Sequence, residues 1–199
     1  MTVFEGFLRE IDQRWQRPQS QTDKVRLRVI GSAALMLRTD YERGTKDSDI
    51  LETAHLTEDI KGRLLNLAGQ STILHTRHKV YLDIVQNGLP FLPQVPLCHP
   101  LVNLNPFLQH FEVEVLDIVD VVVSKLKRFS SNDVNDIMAM VDKDLVKHAQ
   151  LIERFQDAVD AYSMDARAGD LPKYVRNLNR VERDFLMVQE TKIELPEWV

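Results

Sequence analysis

The hydrophobic pattern changes period several times along the first half of the chain. Apolar residues spaced three and four apart predict helices, and strict alternation of apolar and polar residues predicts strands. Gly, Pro and polar clusters separate these segments. The predicted order is a helix over residues 2–15, a loop over 19–22, a strand over 25–30, a helix capped by Ser32, a loop over 40–46, a strand over 47–51, a helix over 56–70 and a strand over 80–85.

A proline-rich stretch then marks a change in organisation. Its prolines are Pro90, Pro93, Pro96, Pro100 and Pro106. Residues 113–116 are compatible with one more strand, and the remaining segments predict helices over 117–129, 132–141, 145–162 and 171–188. The expected fold class is therefore α+β, with a small mixed sheet and its flanking helices in residues 1–110 and a mainly helical part in residues 111–199.

Composition limits the classes of protein that the chain can represent. The formal net charge of -5 argues against a generally basic nucleic-acid binder but leaves room for a local basic groove. Cys98 is the only cysteine, which excludes an intrachain disulfide and disfavours a cysteine-based zinc site. Because no apolar run approaches the roughly 20 residues of a membrane span and no secretion signal is evident, a cytoplasmic location without membrane association is expected.

Three aspartates fall on the predicted strands. Asp47 and Asp49 are two residues apart, so both carboxylates project from one face of their strand. Asp83 lies in an apolar strand, where an ionised carboxylate needs a partner or a cation. If the two strands are neighbours, the three groups converge into an oxygen-rich site that suits Mg²⁺ or Mn²⁺. The alternative is a solvated pair of acids together with an Asp83 that forms a salt bridge to Arg or Lys.

A glycine-containing turn precedes these acids. Gly31 and Ser32 follow a strand and open a helix, where unpaired N–H groups and the helix dipole favour an anion. Glycine also lets the backbone approach a phosphate closely. An ordinary capped turn explains the same residues when they are taken alone.

The combination of these motifs resembles the nucleotidyltransferase-fold superfamily. The matching segments are residues 31–35 (GSAAL), residues 43–50 (RGTKDSDI), the later strand with Asp83, and the helical segment from Asp120 through Lys125 to Arg128, Asp133 and Asp136. The branch with the AbiEii-type toxins and related uncharacterised proteins is the most similar, although this chain has one glycine where many members have two. The resemblance spans roughly residues 25–140 and implies a nucleotidyltransferase-like small mixed sheet.

The resemblance implies roles for individual residues. Asp47, Asp49 and Asp83 would be the catalytic metal ligands, with Mg²⁺ or Mn²⁺ as cofactor, and Gly31 and Ser32 would receive a nucleoside triphosphate. Lys125 would pair with the triphosphate as a mobile point charge, or is a solvated helix lysine. Arg43 and Lys46 would neutralise phosphate charge, or serve as counter-ions of Asp47 and Asp49.

The implied activity is transfer of a nucleoside monophosphate from a nucleoside triphosphate to an acceptor hydroxyl. RNA, a protein and a small molecule all stay open as acceptors, and the resemblance also implies a toxin with an antitoxin protein as partner. Two competing hypotheses are a non-catalytic module that binds nucleotide or a partner, and a metal-dependent phosphohydrolase. Intact aspartates disfavour the first, and the absence of His-Asp metal clusters disfavours the second.

Other polar residues receive structural interpretations. His75 and His78 are three residues apart without a nearby third ligand, which favours a surface loop over zinc binding. Glu112 and Glu114 share a strand face, and a solvated sheet edge is expected for them. Ser130 or Ser131 is expected to cap the next helix.

Overall fold

The computed structural model describes residues 2–18, 21, 23–44 and 46–198. Its internal contacts divide the chain into two compact units: unit 1 comprises Met1–Leu89 and Cys98–Leu116, and unit 2 comprises Pro90–Leu97 and Asp117–Val199. The division predicted at residue 110 differs from this boundary, because the strand that follows residue 110 pairs within the sheet of unit 1.

Unit 1 contains a five-stranded mixed sheet in the order β3-β2-β1-β5-β4. Its elements are α1 (Val3–Arg14), β1 (Val25–Val29), α2 (Gly31–Arg38), β2 (Asp47–Leu51), α3 (Glu58–Ala68), α4 (Ile73–His78), β3 (Tyr81–Val85), β4 (Cys98–Pro100) and β5 (Phe111–Leu116). Strand β1 runs antiparallel to β2 and parallel to β5, while β2 runs parallel to β3. The predicted α+β class with a small mixed sheet is confirmed.

Alternation along the strands gives the sheet one apolar and one polar face. The apolar face carries the buried side chains Val25, Leu27, Val29, Ile50, Leu82, Phe111, Val113 and Val115. The other face carries the charged residues of β1, β2, β3 and β5, because cross-strand partners in register share a face. Helix α2 packs against β2 and β5, and α3 packs against β3. The polar face is therefore the face that carries the candidate acidic side chains.

A buried carboxylate on α1 holds the start of β5. Asp12 is only 3% exposed, and its oxygens accept hydrogen bonds from the backbone N–H groups of Gln109, His110 and Phe111 at 2.8, 2.8 and 3.2 Å. Backbone donors that approach a strand this way would otherwise be left without partners. The contact fixes where β5 begins.

Unit 2 is helical. It contains α5 (Ile118–Leu126), α6 (Ser131–Asp142), α7 (His148–Tyr162) and α8 (Leu171–Asp184). The segment Pro90–Leu97 belongs to this unit, where the fully buried Phe91 packs its ring against those of Phe155, Tyr162 and Tyr174 at centroid distances of 5.3, 5.2 and 5.0 Å. The four predicted C-terminal helices are confirmed, and Ser130 caps α6 as expected.

Candidate active site

The parallel pairing of β2 with β3 brings the three aspartates together. Asp49 lies directly opposite Asp83, and Asp47 lies opposite Tyr81. Asp47 and Asp83 are exposed and Asp49 is half-buried, whereas Ser48 between the two β2 acids is fully buried and points to the other face. The expectation that the two strands are neighbours is confirmed. All three carboxylates therefore project from the polar face of the sheet.

The prediction that Asp83 lies among apolar neighbours is wrong. Its strand is the edge strand of the sheet, so the side chain is exposed rather than enclosed by apolar neighbours. One carboxylate oxygen accepts a hydrogen bond from the backbone N–H of Ile84 at 2.9 Å. Burial therefore gives no reason for Asp83 to require a cation, and its candidacy depends on its register with Asp49.

Tyr81 joins this group and was not singled out from the sequence. Burial raises the pKa of its hydroxyl, and the negative charges of Asp47, Asp83 and Asp49 raise that pKa further. Its ring meets the ring of His75 edge-on, with centroids 5.1 Å apart. The available signal was the strand alternation, which places Tyr81 on the same face as Asp83.

Gly31 makes the turn that approaches the carboxylates. Its φ of +65° lies in the left-handed region, and a Cβ added to it would be 2.9 Å from Oδ2 of Asp49. The N–H of Ile30 also donates to the backbone oxygen of Asp49 at 2.9 Å. A glycine is required here for both conformation and space, so the turn lies directly against Asp49.

The helix after this turn begins differently from the expectation. Helix α2 starts at Gly31, and Ile30 occupies the N-cap position without a side-chain hydrogen bond. The prediction that Ser32 caps the helix is therefore wrong, because the helix already begins at Gly31, one residue before Ser32. Ser32 lies in the first turn, and its Oγ accepts a hydrogen bond from Nη1 of Arg43 at 3.0 Å.

The loop before β2 contributes the two predicted basic residues. Arg43 is half-buried and reaches Ser32, while the Lys46 side chain is exposed and its carbonyl accepts the N–H of Tyr81 at 2.8 Å. Thr45 of the same motif lies outside the described residues. A groove of about 480 Å³ borders this loop, with Val3, Met36, Thr39, Tyr41, Arg43 and Gly44 among its lining residues. That volume lies in the range of small-molecule sites.

The donor set fits a cation that needs few protein ligands. Among the described residues, no group of three or more His, Cys, Asp or Glu side chains is arranged as a ready metal cage. Mg²⁺ commonly uses one or two carboxylates and completes its shell with water and substrate phosphates. Asp47 and Asp49 meet that requirement from one strand face. The three-carboxylate site and the identity of the metal stay predictions.

Lys125 occupies a different environment from a solvated helix lysine. It is 6% exposed, and its Nζ lies 2.7 Å from Asp136 and 3.3 Å from Asp133, both of which are buried. Arg128 donates two further hydrogen bonds to Asp133, at 2.8 and 2.9 Å. Burial opposes ionisation of Asp133, but Arg128, Ser130 and Lys125 together hold its pKa well below the usual range. The structure thus gives Lys125 ionic partners within unit 2, and its contact with triphosphate stays a prediction.

Two structural interpretations of polar residues are wrong. His75 and His78 lie in the short helix α4 rather than a loop, and Nε2 of His78 lies 2.7 Å from Glu10. Strand β5 is paired on both sides, so Glu112 and Glu114 do not lie at a sheet edge. They form ion pairs, at 3.3–3.5 Å, with Arg26 and Arg28 of the neighbouring strand β1.

Comparison with known families decides the assignment of this fold. A family model described as "Nucleotidyltransferase of unknown function (DUF6036)" matches residues 7–168. The chain belongs to this family. The matched range contains the three aspartates, the Gly31 turn and Lys125. No curated protein and no solved structure matched the sequence.

Membership in this nucleotidyltransferase family supports a nucleotide as substrate. The finer similarity to AbiEii-type toxins stays a prediction. None of the helices in the described part of the chain is long and apolar enough to cross a membrane.

The Gly31 turn predicts opposite effects for two glycine substitutions. Gly31→Ala is expected to lower the free energy of unfolding by about 1–2 kcal/mol, because it forces a Cβ into a left-handed residue beside Asp49. Gly62→Ala, in the exposed part of α3 with open space around it, is expected to raise the same quantity by about 0.5–1 kcal/mol. Urea unfolding of both variants checks this. Equal shifts for the two variants would contradict the geometry of the turn.

The network around Lys125 predicts a pH dependence. Because the folded pKa of Asp133 is depressed, its stabilising contribution is complete above the unfolded pKa near 4 and is lost as pH falls from there. Asp133→Asn is expected to lower the free energy of unfolding by about 3–5 kcal/mol at pH 7. This deficit in the free energy of unfolding, relative to wild type, should become smaller below about pH 4. Denaturant unfolding between pH 7 and pH 2.5 measures the deficit, with Asp142→Asn on the exposed end of α6 as control. A deficit independent of pH would contradict this account.

Proposed function

We propose that this protein is a Mg²⁺-dependent nucleotidyltransferase that moves a nucleoside monophosphate from a nucleoside triphosphate to an acceptor hydroxyl. The observation that carries the proposal is the direct approach of the Gly31 turn to Asp49, which itself lies in register with Asp83. An anion-favouring helix start and a row of carboxylates thus lie side by side. Family membership supports the same class of reaction.

The residues of the site would have two roles, binding of the triphosphate and binding of the metal ion. The backbone at Gly31 and Ser32 would receive the triphosphate, and Arg43, which already reaches Ser32, would neutralise phosphate charge there. Exposed Lys46, in the loop just before β2, would add a second positive charge. Asp47 and Asp49 would hold Mg²⁺, which when bound neutralises charge on the phosphates and on the entering oxygen.

The reaction itself exchanges one bond to phosphorus for another. The acceptor oxygen forms a bond to the α-phosphorus, the bond from that phosphorus to the α–β bridging oxygen breaks, and pyrophosphate leaves. The acceptor proton would go to Asp83, whose exposed position at the sheet edge gives an entering hydroxyl access. Positioning and charge neutralisation would supply most of the rate acceleration.

The acceptor and the biological setting are further parts of the proposal. RNA, a protein and a small molecule are all compatible acceptors. The toxin role, the antitoxin partner and the cytoplasmic location rest on the resemblance and on the sequence.

Label transfer tests the proposed activity. The purified protein is incubated with Mg²⁺ and each α-labelled nucleoside triphosphate in turn, with cellular RNA, protein and the low-molecular-weight fraction as separate acceptors. Wild type is expected to label one of these fractions and to release pyrophosphate. Asp47→Asn/Asp49→Asn is expected to lower the rate by about 1,000-fold or more, since both proposed metal ligands lose their charge.

The matched control is Glu112→Gln, which removes a carboxylate from the same sheet face but outside the aspartate row. It should retain activity close to wild type. Equal activity in the Asp47→Asn/Asp49→Asn variant would contradict the assigned site. Tight triphosphate binding without transfer to any fraction would favour a non-catalytic binding module, and the absence of both would contradict the proposal.

A further inference from the structure

Helix α8 has one strongly apolar and one strongly basic face. Its buried side chains are Leu171, Tyr174, Leu178, Val181 and Glu182. The exposed cations Lys173, Arg176, Arg180 and Arg183 follow at intervals of three, four and three residues. At 100° per residue these intervals place the four cations within an arc of roughly 80°. We call these four residues the α8 basic face.

The cations cover about 15 Å of the helix axis, given a rise of roughly 1.5 Å per residue. Arg180 and Arg183 are about half-exposed and form ion pairs with Asp184, at 3.4 and 3.0 Å, and Arg183 also pairs with Glu190 at 2.8 Å. Within the described part of the chain, Lys173 and Arg176 have no ion-pair partner. The N-terminal half of this face is therefore the half whose charge is not compensated.

The end of α5 adds a ring and a further cation to this surface. Nδ2 of Asn177 donates to the carbonyl of Leu126 at 2.7 Å, which fixes α8 beside the residues that follow α5. The guanidinium of Arg180 lies 5.7 Å from the centroid of the Phe129 ring. Arg128, next to Phe129, is 72% exposed while it pairs with Asp133. An aromatic ring thus lies beside Arg180, and Arg128 precedes it in the chain.

The concentration of positive charge contrasts with the rest of the protein. The whole chain carries a formal net charge of -5, so an exposed row of four cations on a single helix face is a local departure from its composition. Packing does not explain the row, because these side chains point away from the apolar face of α8. A polyanion is the ligand that complements it.

We propose that the α8 basic face, together with Arg128 and Phe129, binds a single strand of nucleic acid through its phosphates. Three of the four cations are arginines, whose planar forks match phosphate oxygens in a bidentate manner. Regular spacing along one axis suits the repeating charge of a phosphodiester backbone. The half-buried Phe129 ring lies against Arg180 at the end of this row, and an aromatic ring beside arginines is a combination typical of single-strand binding sites. An acidic protein segment would use the charges but not the ring.

This inference concerns binding alone and does not rest on the transferase activity. The full chain is titrated into a fluorescein-labelled 12-nucleotide single-stranded RNA, the DNA of the same sequence and a labelled poly-glutamate peptide, with fluorescence anisotropy as the readout. Both nucleic acids are expected to bind, and the peptide is expected to bind much more weakly. A difference between RNA and DNA would identify which sugar the surface prefers.

The decisive variant is Lys173→Gln/Arg176→Gln, and its control is Lys143→Gln/Lys147→Gln, which removes two exposed positive charges elsewhere in unit 2, of which Lys147 is paired with Asp144. At 0.1 M salt the first variant is expected to bind RNA about 25-fold more weakly than wild type, and its plot of log affinity against log salt should be shallower by about 1.4, since each lost phosphate contact contributes about 0.7. The control should bind RNA to within about twofold of wild type.

Three results would overturn the proposal. They are equal losses of affinity in the two lysine-containing variants, tighter binding of poly-glutamate than of RNA, and absence of RNA binding at 50 mM salt. Unchanged thermal unfolding of the Lys173→Gln/Arg176→Gln variant would show that a loss of affinity reports on the surface and not on the fold.

Discussion

The parallel register between β2 and β3 is the constraint on which the candidate site depends. A shift by one residue would turn Asp83 to the opposite face of the sheet and separate it from Asp49. The register is stabilised by apolar residues that alternate with the acids, since Ile50 and Leu82 are buried on the other face. Core packing and the placement of the carboxylates are therefore two consequences of the same alternation.

The second constraint is the conformation of Gly31. Strand β1 ends beside β2, and the chain must turn into α2 within one residue while it passes the carboxylate of Asp49. A left-handed glycine achieves this without a side chain in the gap.

In unit 2, buried charge supports the helical packing. The buried acids Asp120, Asp133 and Glu182 each have a hydrogen-bonded or ionic partner.

The sequence predicted the long elements and the aspartates of β2, because alternation and helical spacing extend over enough residues to be recognised. Helix α4, with six residues, and β4, with three, are too short to display a period. The exposure of Asp83 could not be predicted, since it follows from the edge position of β3 in the sheet. The face of Tyr81 follows from the alternation, but its position opposite Asp47 and the pairing of Lys125 with Asp136 depend in the same way on contacts between separate elements. The basic spacing along α8 was present in the sequence, but its significance required the knowledge of which side chains are exposed.

A crystal structure with Mn²⁺ and a nucleoside triphosphate that has a methylene group in place of the α–β bridging oxygen tests the central claim most directly. The account predicts an anomalous peak for Mn²⁺ next to Asp47 and Asp49, with phosphate oxygens against the backbone N–H groups at Gly31 and Ser32. A triphosphate bound away from the Gly31 turn, or a Mn²⁺ peak at residues other than these aspartates, would contradict it.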